Sequence, residues 1–303
     1  MASIAEKIRS LARQQNAVIL AHTYQPADVQ DVADYVGDSY GLSIEASRTP
    51  ADIIVFCGVM FMAETAAILN PKKRVLIPEP GAGCPMADMI TADELSRLKV
   101  QYPGHIVVCY VNSTADIKAL SDICCTSSNA LRIVQKIPAD RGVIFVPDKH
   151  LGGWVQEKTG RSMVLWDGFC PTHARITPDL ITAVRAQHPE ATVLIHPEAP
   201  KASRDLADHV FSTGGMCDFV KKDGNREYII ATETGIIHTL SKQNPGKRFY
   251  AVSEHALCPN MKKISIELVA ETLEGAAGQV VAVPEEIAAK ARRSLSKMIE
   301  MSS

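Results

Sequence analysis

The sequence predicts an α/β fold of three pseudo-threefold-related, three-layer α/β/α units, with small parallel sheets around a central cluster site. Three observations carry this prediction. Cys84-Pro85, Cys170-Pro171 and Cys258-Pro259 recur 86 and 88 residues apart. Short apolar runs without polar alternation recur between them in one order, as parallel strands covered on both faces require. Helical patterns separate these runs, which favours parallel over antiparallel sheets.

The elements repeat in turn. Each unit opens with a strand: 16–22, 105–110 and 191–196. Each of these strands ends in polar residues: His22 and Tyr24, Tyr110 and Asn112, His196 and Glu198. A hydroxyl-bearing turn follows, at Ser39, at Ser127 and at Ser212-Thr213, and each is expected to open a helix. A second strand spans 51–56, 142–146 and 227–231, and a third spans 74–77, 162–166 and 248–252, running into each Cys-Pro. Helices at 4–12, 92–99 and 178–185 precede the first strands; Thr91 and Thr177 suit the N-cap role in the latter two. The units are therefore drawn as 1–87, 88–173 and 174–263. Residues 264–303 are expected to return to the first unit, as a helix at 264–275, a short strand at 280–283 and a helix at 285–298.

Composition excludes several classes. The chain has 303 residues, 46% hydrophobic and 22% charged, with a net charge of −2. That balance offers nothing to attract nucleic acid or an anionic membrane. No apolar run approaches the roughly 18 residues needed to cross a bilayer. The first residues read as a helix and not as a secretory leader, so the expected location is cytoplasmic.

Eight cysteines in a reducing compartment are not expected to form a disulfide framework. Cys57, Cys109 and Cys217 lie in or beside apolar stretches and read as core thiols. The adjacent Cys124 and Cys125 have poor geometry for joint ligation and also read as structural. Cys84, Cys170 and Cys258 end equivalent segments and are the candidate metal ligands. Structural zinc prefers four ligands in close local pairs, which this sequence lacks. Three thiolates from distant loops suit a [4Fe–4S] cluster with one iron left for substrate, or a three-thiolate catalytic zinc. Spacing alone leaves these two open. Strand carboxyl ends are where parallel sheets bind ligands. Hydroxyl turns at helix N-termini suit a polyanion, dicarboxylate or phosphate.

These residues sit in longer motifs. They are Ala21-His22-Thr23-Tyr24-Gln25, Gly37-Asp38-Ser39, Gly83-Cys84-Pro85-Met86-Ala87, Tyr110-Val111-Asn112 and Pro147-Asp148-Lys149-His150-Leu151-Gly152. They continue with Cys170-Pro171-Thr172-His173, His196-Pro197-Glu198, Ser212-Thr213-Gly214, Ala231-Thr232-Glu233-Thr234-Gly235 and Cys258-Pro259-Asn260-Met261. Together and in this order, over essentially the full length, the chain resembles the quinolinate synthase family. The resemblance implies an enzyme of NAD biosynthesis that condenses iminoaspartate with dihydroxyacetone phosphate, giving quinolinate, phosphate and water. It implies a [4Fe–4S] cluster held by Cys84, Cys170 and Cys258. It implies a substrate-contacting set of His22, Ser39, Tyr110, Asn112, Ser127, His196, Glu198, Ser212 and Thr213. Transient contact with the enzyme that makes iminoaspartate is the expected protein partnership.

The chemistry fits these residue types. Proton transfers beside carbonyls need groups titrating near neutrality, which points to His22 and His196. Glu198 is the expected base, with burial raising its pKa. Tyr24 and Tyr110 can donate to developing oxyanions. His173 is a weaker candidate that supports the cysteine turn. Two rival readings are a diphthamide-biosynthesis-like cluster enzyme, which needs a broader surface, and a non-catalytic iron–sulfur sensor, which needs no acid–base set.

Overall fold

The computed structural model describes residues 3–302. Its apolar runs pair into three separate sheets, one per repeat. The first holds β1 (Ala17–His22), β2 (Tyr35–Gly37), β3 (Ile53–Cys57) and β4 (Arg74–Ile77). The second holds β5 (Ile106–Tyr110), β6 (Ile123–Cys125), β7 (Val143–Val146) and β8 (Val164–Leu165). The third holds β9 (Thr192–Ile195), β10 (His209–Val210), β11 (Glu227–Ala231) and β12 (Arg248–Ala251). All three have the same order, β2-β1-β3-β4, β6-β5-β7-β8 and β10-β9-β11-β12, with every pairing among these strands parallel. Helices flank each sheet, which accounts for the unbroken burial of β3 and β7.

The sequence led us to expect three parallel strands per repeat, and the structure has four. The extra strand, β2, β6 or β10, has only two or three residues and carries no apolar run long enough to register. An aspartate just ahead of each one fixes it. The Asp34, Asp122 and Asp208 side chains accept the Ile19, Val107 and Val193 N–H at 2.7–2.8 Å. Their own N–H groups donate to the carbonyls of those same three residues. Each edge strand is thus clasped to the middle of the first strand in its sheet.

The predicted caps form. Thr91 accepts the Glu94 N–H and Thr177 accepts the Leu180 N–H, while Ser3 caps the helix Ile4–Gln14. The stretch after the third cysteine divides between two sheets. Helix Ile266–Glu274 packs on Ile4–Gln14, and β13 (Gln279–Val280) adds antiparallel to β4 in the first sheet. Helix Glu285–Ser302, expected on the first unit, lies instead largely on the second, against β6 and helices Ala115–Leu120 and Ala130–Lys136, reaching also Met60–Leu69. Its buried stripe includes Ala288, Ala291, Ser294, Leu295 and Met298. Small residues there allow close approach, and Ser294 Oγ contacts the Lys118 carbonyl at 2.8 Å and Cys124 Sγ at 3.3 Å.

This helix therefore belongs to the core between two repeats. Leu295→Ala is expected to lower unfolding free energy by about 2–5 kcal/mol, the range for truncating a fully buried leucine. Guanidinium titration at unchanged slope measures it; a loss under about 0.5 kcal/mol, the level of a surface substitution, would place the helix outside the core.

Candidate active site

Strand register sets the site. Ala21, Cys109 and Ile195 pair with Cys57, Val146 and Ala231 at the ends of the third strands in chain order. The next residue is His22, Tyr110 or His196. Two further on come Tyr24, Asn112 and Glu198. The short edge strands supply another ring. Val36, Cys124 and Val210 pair at the same level. Beyond them lie Asp38, Thr126 and Ser212, then Ser39, Ser127 and Thr213.

These carboxyl ends open on one cavity of about 290 Å³. It is lined by His22, Tyr24, Ser39, Tyr110, Asn112, Ser127, His196, Glu198 and Thr213, and by Cys84, Cys170 and Cys258. Of the residues named from sequence, Ser212 alone does not line it. It sits behind the wall, accepting the Gly215 N–H at 3.1 Å as the cap of helix Thr213–Lys222. Ser128 Oγ lies 3.0 Å from Ser212 Oγ and donates to Asp38 at 2.5 Å, so all three repeats meet in this cluster. Ser39 and Thr213 begin helices as expected. Ser127 does not: its helix starts at Ala130, because Asn129 turns its side chain back to accept the Thr126 N–H at 2.6 Å.

The three cysteine turns share one construction. The N–H groups of Met60, Lys149 and Thr234, just past the third strands, donate to the carbonyls of Ala82, Gly168 and Ala256 at 2.8–3.0 Å. Each of these carbonyls lies two residues before a cysteine. The backbone N–H three residues after each cysteine, at Ala87, His173 and Met261, lies near enough to its sulfur to favour the thiolate. Proline suits the position in between, since its missing N–H would have no partner in the first turn. Burial pushes the Cys84 thiol up to about 12 and raises Cys170 and Cys258 as well.

A hydrogen-bonded chain crosses the cavity wall. Tyr24 Oη lies 2.8 Å from Thr213 Oγ1 and 2.7 Å from Thr232 Oγ1. Thr232 Oγ1 lies 2.7 Å from His173 Nε2, and His173 Nδ1 is 2.7 Å from Glu198 Oε2. Tyr110 donates to the other Glu198 oxygen at 2.5 Å. Glu198 thus departs from expectation. Burial does push its carboxyl up, but His173 and the Tyr110 hydrogen bond outweigh this and hold it below the usual carboxylate range.

The histidines also differ from expectation. Burial lowers His22 to about 3, with the Lys262 ammonium adding to the effect. Burial likewise lowers His196 to about 3, despite Glu198, with His173 and His22 adding to it. Their Nδ1 atoms accept the Tyr24 and Glu198 backbone N–H at 3.1 and 3.3 Å. Both are neutral rings with the proton on Nε2, able to donate to an anion but not titrating near neutrality.

Sequence reasoning did not single out Asp38, Thr232, Glu233 or Asp148; His173 supports the cysteine turn as expected, Nδ1 lying 3.2 Å from Cys170 Sγ, and it also pairs with Glu198. The Pro147-Asp148 and Thr232-Glu233 motifs were visible, but nothing marked which residue points inward.

Cys170, His173 and Glu198 bring donor atoms within 4.8 Å of one another, a set able to hold a metal ion. Two ligands about 2.1 Å from one tetrahedral ion lie about 3.4 Å apart. The 2.7 Å between His173 and Glu198 is a shared-proton distance, so this pair is a hydrogen bond first.

The sequence model of one family, described as NadA, quinolinate synthetase A protein, matches residues 6–300. The chain belongs to this family. It is 50% identical over 297 residues to the quinolinate synthase of Geobacter metallireducens, covering 98% of this chain and 97% of that protein. It is 49% identical to the quinolinate synthase of Dehalococcoides mccartyi strain CBDB1, covering 98% of each. A Methanosarcina barkeri quinolinate synthase is 48% identical over 298 residues. No helix among the described residues is long and apolar enough to cross a membrane.

The neutral histidines give a pH signature in the metal-free protein. Between pH 6.5 and about 3 the unfolded chain binds protons that the folded protein refuses. Each histidine therefore removes stability as pH falls through that window, by up to about 1.4 kcal/mol per pH unit. Glu198 adds a loss of the same sign only below its ordinary 4.5. Denaturant unfolding between pH 6.5 and about 5 should steepen accordingly, and His22→Gln or His196→Gln should flatten it. An equal slope in both variants would exclude buried neutral imidazoles.

Proposed function

We propose that the chain is a quinolinate synthase of NAD biosynthesis, condensing iminoaspartate with dihydroxyacetone phosphate to quinolinate with release of phosphate and water. The observation that carries this reading is the joining of three identically built cysteine turns and nine polar strand-end or turn residues on one cavity wall. Membership of the family supplies the reaction.

The donor set fits a [4Fe–4S] cluster. Three soft sulfurs from three repeats face one cavity, each with a backbone N–H nearby that favours its thiolate. Cys84, Cys170 and Cys258 would hold it, and in this reading no protein side chain takes the fourth iron. When bound, the cluster supplies a Lewis-acidic iron with a free position.

The remaining work falls to side chains. His22 and His196 donate from Nε2, and Ser39, Ser127 and Thr213 add hydroxyls, which suits carboxylate and phosphate groups. Ser212 supports this ring from behind. The buried Asn112 Oδ1 lacks a partner, which suits it to accept from the imine nitrogen of the substrate. Glu198, ionised and bonded to Tyr110, is the base for carbon-bound protons, and Tyr110 returns a proton to an oxygen. Tyr24 holds the opposite side through Thr213 and Thr232. Iminoaspartate is a labile imine, so direct supply by the enzyme that makes it belongs to this reading, as does a cytoplasmic setting.

Anaerobic assay of quinolinate formation tests the proposal. Glu198→Gln should lower kcat by about 10²–10⁴, the usual worth of a positioned base. Cys84→Ser, Cys170→Ser and Cys258→Ser should each lose iron and sulfide. Wild-type turnover in Glu198→Gln, or full iron in any serine variant, would overturn the assignment of that residue.

A further inference from the structure

Threefold equivalence places three residues alike with respect to the cysteine turns: Val59, Asp148 and Glu233, each two beyond the paired strand-end residues Cys57, Val146 and Ala231. Asp148 and Glu233 are fully buried. Asp148 Oδ2 accepts the Cys170 N–H at 3.2 Å, while Oδ1 accepts the Leu151 N–H at 2.6 Å. Glu233 Oε1 accepts the Cys258 N–H at 3.1 Å, while Oε2 accepts the Gly235 N–H at 2.7 Å. Lys262 pairs with Glu233 at 2.9 Å. In each case one oxygen is fixed to the turn after the strand and the other to a cysteine backbone. Valine in the first repeat cannot do this, and among the described residues the Cys84 N–H has no hydrogen-bond partner.

A buried carboxylate is costly unless its oxygens are used. Position 59 shows that the fold forms the turn without one. We propose that Asp148 and Glu233 are positioning residues for the metal centre, each presetting one cysteine, Cys170 or Cys258, while Cys84 has no such carboxylate. This rests on the cluster reading above for its purpose, but the geometry it claims belongs to the chain itself.

The test uses the full chain in two states. In the metal-free protein, N-ethylmaleimide labelling is followed at each cysteine by mass spectrometry. Asp148→Ala should speed labelling of Cys170 alone by about tenfold, and Glu233→Ala should do so for Cys258 alone, as expected for one lost hydrogen bond of about 1.4 kcal/mol. Asp148→Asn and Glu233→Gln keep one acceptor oxygen in place of two and should label at rates between wild type and alanine. Cys84 should not respond to any of them. In the iron-loaded protein, both alanine variants should release iron to a ferrous chelator about tenfold faster, with the amide variants in between.

Circular dichroism checks each fold, and Asp148→Leu or Glu233→Leu replaces an alanine variant that does not fold. Equal acceleration at all three cysteines would mark these residues as general supports and overturn the proposal. Unchanged labelling in the alanine variants would overturn it as well. A chain that takes up no iron would defeat the cluster reading, while the labelling still decides the positioning.

Discussion

Three backbone hydrogen bonds hold the site together: Met60 to Ala82, Lys149 to Gly168 and Thr234 to Ala256. Each ties the loop that carries a cysteine to the strand-end turn beside it. Without that tie, the segment after β4, β8 or β12 would be an ordinary surface connection. With it, the cysteine hangs over the carboxyl end of its sheet, where parallel topology already gathers the first and edge strand ends. Gly168 shows how tight the approach is, since a Cβ there would lie 2.4 Å from the Pro147 carbonyl oxygen. The cavity and its three sulfurs follow from repeating one tether three times.

The repeats also solve a problem of buried polarity. Glu198, His22, His196, Tyr24 and Tyr110 are nearly inaccessible, and such groups are tolerated only when paired. For the tyrosines and the glutamate the partners come from other repeats. Tyr24 of the first reaches Thr213 and Thr232 of the third; Tyr110 and His173 of the second reach Glu198 of the third. No repeat could satisfy its own polar strand ends alone. The hydrogen-bonded chain therefore fixes how the sheets face one another as well as lining the cavity.

What was legible in the sequence was whatever repeated in kind. Apolar strands, Cys-Pro pairs and polar strand ends recur at matching intervals, and register alone then places His22, Tyr110 and His196 at one level. The short edge strands were hidden because two or three residues such as His209–Val210 carry no periodicity. Their real signature is the aspartate before them, at 34, 122 and 208, a single residue type that means nothing until its bond to the first strand is seen. The last helix went to the wrong neighbour because its small-residue stripe fits several surfaces. Glu198 and the two histidines were identified as residues, but their protonation was misjudged: burial was weighed for the glutamate without its donors, and was left out for the histidines.

The scaffold is threefold, but its chemistry is not. Equivalent positions hold His22, Tyr110 and His196; Tyr24, Asn112 and Glu198; Val59, Asp148 and Glu233. Were all three repeats identical, the cavity would present one pattern in three orientations, and an unsymmetrical substrate could bind in any of them. Placing a single ionised carboxylate in the second ring, with a tyrosine and an amide at the equivalent places, breaks the threefold symmetry of the cavity wall. The sulfurs and the tethers, by contrast, stay alike in all three repeats. Divergence at the strand ends with constancy in the loops is how one repeated unit becomes a directional active site.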